Sequence, residues 1–308
     1  MKTSAVNSRK TPERKTGFLH KFIGDKAFYK MVLAIAVPIM IQNGITNFVG
    51  LLDNIMIGRV GTEPMSGVAI VNQLIFVYNL CLFGGVSGAG IFTAQYYGQK
   101  NHEGIRQTVR FKIWIVALIT LFTTVLFLLA GDNLIQLYLL GEGTVQSAAA
   151  TLHYGRQYLF IMLTGLLPFM MVQVYSSTLR ECGQTLLPMK AGIIAVCVNL
   201  VLNYILIYGK FGAPALGVQG PAIATVISRY VEAAIILVHT HRRREQNPFV
   251  EGLYSTLKVP GNLVRKILIK GTPLLLNETL WAAGMAMLSQ CYSVRGLNVI
   301  AAQNISST

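Results

Sequence analysis

Two carboxylates stand inside stretches that otherwise read as lipid-buried helix: Asp53 in GLLDNIMIG (50–58) and Glu278 in GTPLLLNETLWAAG (271–284). A charge at mid-bilayer is costly on every insertion scale, so each needs a partner, a proton or a water-filled cavity. Four ionisable groups read as deep: Asp53, Arg229, Glu232 and Glu278. Arg229 and Glu232 are three residues apart, hence on one helical face, and read as a self-neutralising pair. Asp53 has no basic residue at helical spacing except Arg59, past the helix end, and Glu278 has none nearby on its helix.

Depth counting supplies Asp53 with neighbours. It lies five residues below Gly58, Asn203 lies six below Gly209, Asn199 is one turn deeper on the same face, and Thr225 is a few residues inside its own span. Together they offer a carboxylate, two amide oxygens and a hydroxyl, hard oxygen ligands that suit Na⁺ or a proton-dependent hydrogen-bond cluster. Asp53 then acts as a switch whose charge depends on the cation it holds. For either asparagine alone, interhelical hydrogen bonding is the plainer role; shared depth with an unpaired acid is what argues for more. Glu278 follows Pro273 by five residues, and the missing N–H of a helical proline frees a carbonyl for a ligand. Pro38 is expected to kink the first helix in a way that changes with the state of Asp53.

The elements that must position these groups are membrane helices. Of 308 residues 53% are hydrophobic and 12% charged, and the mean hydropathy is +0.53, far from a soluble domain with about a quarter of its residues charged. Apolar runs long enough to span occur at 31–57, 68–97, 111–130, 152–178, 187–208, 217–240 and 262–291, and an eighth begins near 297. Of the 26 Lys and Arg, eight fall in the first thirty residues, four in 98–112, two in 179–190 and seven in 241–270. With these on one side, the opposite connections hold only Arg59, Arg156, Lys210 and Arg295. That bias puts the N-terminus in the cytoplasm of a multi-pass cell-membrane protein. The basic residues sit beside span ends, so anionic lipid headgroups account for the net charge of +14 without nucleic acid. Four scattered cysteines (Cys81, Cys182, Cys197, Cys291) suggest neither zinc nor a disulfide framework.

An internal repeat organises the spans. KMVLAIAVPIMIQN (30–43) aligns with KILIKGTPLLLNE (266–278), matching Pro38 with Pro273 and Gln42 with Asn277, and MSGVAIVNQ (65–73) resembles LNVIAAQNI (297–305). A six-helix unit therefore restarts near 262. The expected organisation is a basic cytoplasmic tail (1–30), a six-helix lobe (31–240), a cytoplasmic linker (241–261) and the start of a second lobe with helix 7 and part of helix 8 (262–308). The repeat implies about four further helices beyond this chain. The fold class is an all-α polytopic membrane protein, and paired helical units are typical of secondary transporters that bind cargo between two halves.

In order along the chain, the helix 1 pattern Pro38, Gln42, Asp53, Gly58, the junction LRECGQTLLP (179–188), NLVLNYILIYGKFGAPALG (199–217) and GTPLLLNETLWAAG (271–284) resemble the multidrug and toxic compound extrusion (MATE) transporters, NorM-like branch. The resemblance runs from about residue 30 to the end. It implies two six-helix lobes and export of drugs or organic cations in exchange for Na⁺ or H⁺ by alternating access, with no cofactor beyond the coupling ion. Asp53 matches the family's helix 1 acid; Asn199, Asn203 and Thr225 match its polar partners; Glu278 matches the helix 7 acid of the second lobe. Asn203 is an aspartate in another branch, which favours the NorM-like one. The family's further acid, late in the second lobe, has no counterpart here. The expected assembly is a monomer.

Other classes fit less well. GVSG (85–88) resembles the serine motif of rhomboid-like intramembrane proteases, but the histidine on offer for Ser87 is His239, at the basic end of helix 6, and a nucleophile without a placed base has no mechanism; the protein is expected not to be an enzyme. A lipid-linked saccharide flippase handles anionic cargo, whereas a cleft dominated by Asp53 and Glu278 suits cations. A scaffold gives no reason to retain unpaired buried acids. Gln42, Asn72, Phe76 and Met170 are possible cleft contacts that stay outside the candidate set, because such residues usually pack or face lipid.

Overall fold

Asp25 starts the first helix: its side chain accepts from the Phe28 N–H at 2.8 Å, an N-cap that satisfies one of the free donors of the opening turn. The computed structural model describes residues 25–58, 61–139, 145–212 and 214–295, with isolated positions at 299, 302 and 306. Residues 1–24 of the expected tail, Arg59 and nearly all of the expected eighth helix lie outside the described residues. The described part of the tail, from Lys26, is already helical because of that cap.

The helices are α1 (Lys26–Gly58), α2 (Thr62–Gly98), α3 (His102–Gln136), α4 (Val145–Glu181), α5 (Leu186–Tyr208), α6 (Gln219–Arg242) and α7 (Gly261–Ser293), with one 3₁₀ turn at Pro248–Val250; there is no strand among the described residues. Local chemistry sets several ends. Asn101 caps α3 by accepting from Gly104 N–H at 2.9 Å, and Gly209 closes α5 at φ 63°, a left-handed conformation that glycine adopts without a Cβ penalty. α1 to α6 are long and apolar enough to cross a membrane. α7 is equally long as α1 but more polar, because Asn277 and Glu278 interrupt its apolar stretch and Arg265, Lys266 and Lys270 crowd its start.

Two expected inner connections shrink. Only 99–101 separates α2 from α3 and 182–185 separates α4 from α5, since the helices run on until the left-handed residues Lys100 at φ 55° and Gly183 at φ 77°. Arg106, Arg110, Lys112 and Arg180, counted as loop charges, are therefore helical, and Arg110 and Lys112 are buried. Lys112 Nζ donates to Glu181 Oε2 at 2.5 Å, Ser177 Oγ at 3.2 Å and Thr178 Oγ1 at 3.3 Å, tying α3 to α4. The reading of four deep ionisable groups thus missed a buried ion pair.

α2 lies at the centre against α3, α4 and α7; α4 packs on α6, α6 on α5, and α5 on α1. Two apolar clusters fill the bundle. One, around Val68, Ile135, Tyr158 and Ala222, lies at the end away from the linker; the other, around Leu82, Val109, Tyr175 and Ile236, reaches Phe249, Val250 and Leu253 of the linker itself. The linker is held to this bundle by polar contacts as well. Arg110 donates to the Leu253 and Gly252 carbonyls at 3.0 and 2.7 Å, Trp114 Nε1 to the Leu257 carbonyl at 3.0 Å, and the His241 ring stacks on Tyr254.

α7 meets α2 where glycine faces glycine: a Cβ on Gly88 would stand 2.6 Å from Gly271 Cα. That close approach accounts for GGVSGAG as a packing surface, and the Ser87 hydroxyl is spent on the Phe83 carbonyl of its own helix at 2.7 Å.

Candidate functional site

α1, α5 and α6 bring four expected residues together. Asn203 Nδ2 donates to Asp53 Oδ1 at 2.6 Å. Asn199 satisfies its neighbours when its amide nitrogen donates to Asp53 Oδ2 at 3.0 Å and its oxygen accepts from Thr225 Oγ1 at 3.1 Å and Thr225 N–H at 3.3 Å. Each carboxylate oxygen thus receives an amide N–H, and no ion pair reaches Asp53 among the described residues. The Asn203 oxygen is buried with no hydrogen-bond partner among them. Asn199 and Asn203 share a face of α5 because they are four apart, and both are buried.

Asp53 stands in the wall between two cavities. The larger, about 330 Å³, lies among α1, α4, α5 and α6 and runs from Asp53, Asn199 and Thr225 to Gln42, Arg180 and Glu232. The smaller, about 220 Å³, is lined by Asp53, Asn54, Asn72, Tyr158 and Thr225; there Tyr158 Oη donates to Asn72 Oδ1 at 3.3 Å. Of the possible cleft contacts, Gln42 and Asn72 do line cavities, whereas Met170 is buried in the apolar core and Phe76 packs edge-on against Trp281.

The linker end of the larger cavity corrects the picture of a cleft dominated by acids. Arg229 Nη1 lies 3.6 Å from Glu232 Oε2, as helical spacing suggested, but the guanidinium also lies over the Phe169 ring at 4.3 Å and lines the cavity. Arg180 joins it there, donating from Nη2 to Gln42 Oε1 at 3.0 Å. Gln42 is set by the bare backbone of Gly192, where a Cβ would come within 2.6 Å of the Gln42 amide nitrogen. Apolar run lengths alone leave Arg180 in a connection; the signal that places it in α4, which ends at Glu181, is the lack of a helix breaker between Pro168 and Gly183.

Glu278 is not part of this site. It is half-buried on α7, near Gly84 of α2, and has no hydrogen-bond or ion-pair partner among the described residues. Pro38 is buried and Pro273 exposed, and both helices continue through them. Each proline leaves one carbonyl without its helical donor, on Ala34 and Ile269 respectively.

The chain is 29% identical over 279 residues to a probable multidrug resistance protein NorM of Thermotoga maritima, covering 90% of this chain and 57% of the relative. It is 30% identical over 213 residues to a protein of the same description from Oceanobacillus iheyensis, covering 69% and 46%. The chain thus spans about half the length of these curated relatives. A solved structure described as the inward-facing conformation of a multidrug resistance MATE family transporter of the MOP superfamily shares the fold, with a TM-score of 0.72 at 22% identity over 90% of this chain and 60% of that one. The family model MatE matches residues 38–205, more than half of the chain and including Asp53, Asn199 and Asn203, and the chain belongs to the MatE family.

Proposed function

We propose that the protein is a secondary active exporter that expels drugs or organic cations in exchange for Na⁺ or H⁺. One observation carries this reading: the Asp53 carboxylate, held at both oxygens by asparagine amides and, among the described residues, by no cationic side chain, stands between two cavities. A carboxylate so placed keeps its charge open to a small cation: a proton binds it directly, whereas Na⁺ requires the asparagine amides, which now present N–H groups to it, to turn their oxygens inward. Asn203, with a buried unpartnered oxygen, and Thr225 supply further oxygens of the hard type that Na⁺ prefers. Occupancy at Asp53, and separately at Glu278, favours the state that releases cargo outside; a ligand shifts such an equilibrium only by its differential affinity for the two states. The relatives' designation as multidrug resistance proteins supports the cargo class.

In the same reading the protein is a multi-pass cell-membrane monomer with its N-terminus and linker in the cytoplasm, where the basic residues meet anionic lipids. Residues 31–240 form the first lobe and 262–308 begin the second. A lipid-linked saccharide flippase is the second reading; what favours it is the pair Arg180 and Arg229 in the cavity.

Dye efflux from proteoliposomes containing the protein, with Na⁺ and pH gradients imposed separately, tests the proposal. Efflux of a cationic dye driven by one gradient, and abolished by Asp53→Asn or Glu278→Gln, is expected. Native rates in the double variant under either gradient refute the reading, and transfer of a lipid-linked saccharide without dye efflux establishes the flippase instead.

A further inference from the structure

The charges at the linker end of the larger cavity do not cancel. Two guanidinium groups, Arg180 and Arg229, face it with one carboxylate, Glu232. Arg229 lies 3.6 Å from Glu232 and over Phe169. Among the described residues Arg180 makes one hydrogen bond, from Nη2 to the neutral Gln42 amide, its Nε is buried without a hydrogen-bond partner, and it shares the charge of Glu232 with Arg229. The adjacent carboxylate, Glu181, is taken by Lys112 at 2.5 Å, and Asp53 is held at the far end of the cavity by Asn199 and Asn203. An arginine cannot shed its proton in a protein, so two guanidinium groups sharing the single Glu232 carboxylate leave a net positive charge facing the cavity. The planar fork of a guanidinium matches a carboxylate, which it can engage through two N–H groups.

We propose that Arg180, aided by Arg229, forms a subsite for a carboxylate carried by the cargo. The cavity then takes molecules with an anionic group toward Arg180 and a cationic or neutral polar body toward Asp53. Gln42 and Asp53 lie eleven residues apart on α1, roughly 16 Å along the axis, which leaves space between the two ends for a molecule of drug size. Gly192 has a defined part: it lets Gln42 sit close enough to hold Arg180 in the wall. This inference rests on the exporter reading and narrows its cargo.

The test compares two dyes that differ at one group, rhodamine 110, a free carboxylic acid, and its methyl ester, rhodamine 123. Binding to the purified protein in lipid nanodiscs is followed by fluorescence polarisation, and efflux by proteoliposomes. Wild-type protein is expected to bind the acid more tightly than the ester by roughly tenfold, the worth of one charge-assisted pair. Arg180→Gln is expected to remove that preference while leaving the ester within about twofold, and Arg229→Gln to reduce it in part. Equal affinity for the two dyes in wild type overturns the inference, and so does an Arg180→Gln variant that keeps the preference. Export of the ester with no preference for the acid sinks the inference alone and leaves the exporter standing. Neither dye binding nor moving sinks both.

Discussion

Replacing Lys112 by methionine tests the buried tie between α3 and α4. The Lys112 side chain is wholly buried and that of Glu181 is 18% exposed. The methionine fills most of the same space but removes the ammonium, leaving the Glu181 carboxylate without its cation. Ser177 and Thr178 lose little, because their hydroxyls already donate to the Val174 carbonyl at 3.0 and 2.8 Å. Breaking one side of a buried pair costs about 3–5 kcal/mol; partial exposure of Glu181 puts the loss near the lower figure, about 3 kcal/mol. At about 2–4 °C per kcal/mol, that lowers the unfolding midpoint by roughly 6–12 °C. Glu181→Gln strands the ammonium instead, on a side chain with no solvent exposure, and is expected to cost more. The double variant Lys112→Met with Glu181→Gln buries no unpaired charge and recovers most of the loss. Trp114, bonded to the linker, and Trp281 on α7 report unfolding by fluorescence in detergent. A double variant whose loss equals the sum of the two single losses would falsify the argument, since independent contacts add and a shared pair does not.

The remaining predictions concern how the linker and α7 are attached. Arg110→Ala removes donors to the Gly252 and Leu253 carbonyls and is expected to speed amide exchange across 249–257, with the α4–α5 region unchanged; equal protection before and after shows that Phe249, Val250 and Leu253 hold the linker by themselves. Gly88→Val places a side chain into the Gly271 backbone and is expected to push α7 off α2. A disulfide between cysteines introduced for Gly84 and Leu275, neighbours across that contact, should then form at least about tenfold more slowly, because bridging tolerates little change in Cβ separation; an unchanged rate rejects the glycine contact as the determinant.

How far the sequence reached depends on which property each residue expresses. Asp53, Asn199, Asn203 and Thr225 were legible because depth below a helix end is a matter of counting at a fixed rise per residue, and an unpaired acid makes the count worth doing. Arg229 and Glu232 were legible as a pair by their spacing but not as cavity lining, since the face a membrane helix turns to a cavity leaves no periodic trace when the opposite face meets lipid. Arg180 and Lys112 were lost to an assumption that charge marks a loop. Long basic side chains near span ends can run back along the helix, and here Lys112 is buried against Glu181, which no local pattern announces. The attached linker was invisible for another reason: Phe249, Val250 and Leu253 are three apolar residues in a polar stretch, and only their contacts with the bundle give them meaning.

The repeat adds a constraint on how the two acids work. Shifting α1, Lys26–Gly58, by the 235 residues that align Pro38 with Pro273 gives 261–293, the bounds of α7. The two helices are therefore equivalent along their whole length, yet the acids are not equivalent positions within them. Asp53 corresponds to Leu288, and Glu278 corresponds to Asn43, which lines the larger cavity. The two carboxylates differ by ten residues in the shared register, about 15 Å in depth. In the exporter proposed above, one ion site per lobe at the same level is thus incompatible with these positions. Asp53 lies toward the end remote from the linker and Glu278 nearer mid-helix, so on the proposed reading ions entering from one face of the membrane would meet the two acids at different depths. Neutralising each acid singly should accordingly alter the coupling-ion dependence of transport in different ways rather than halving a common effect.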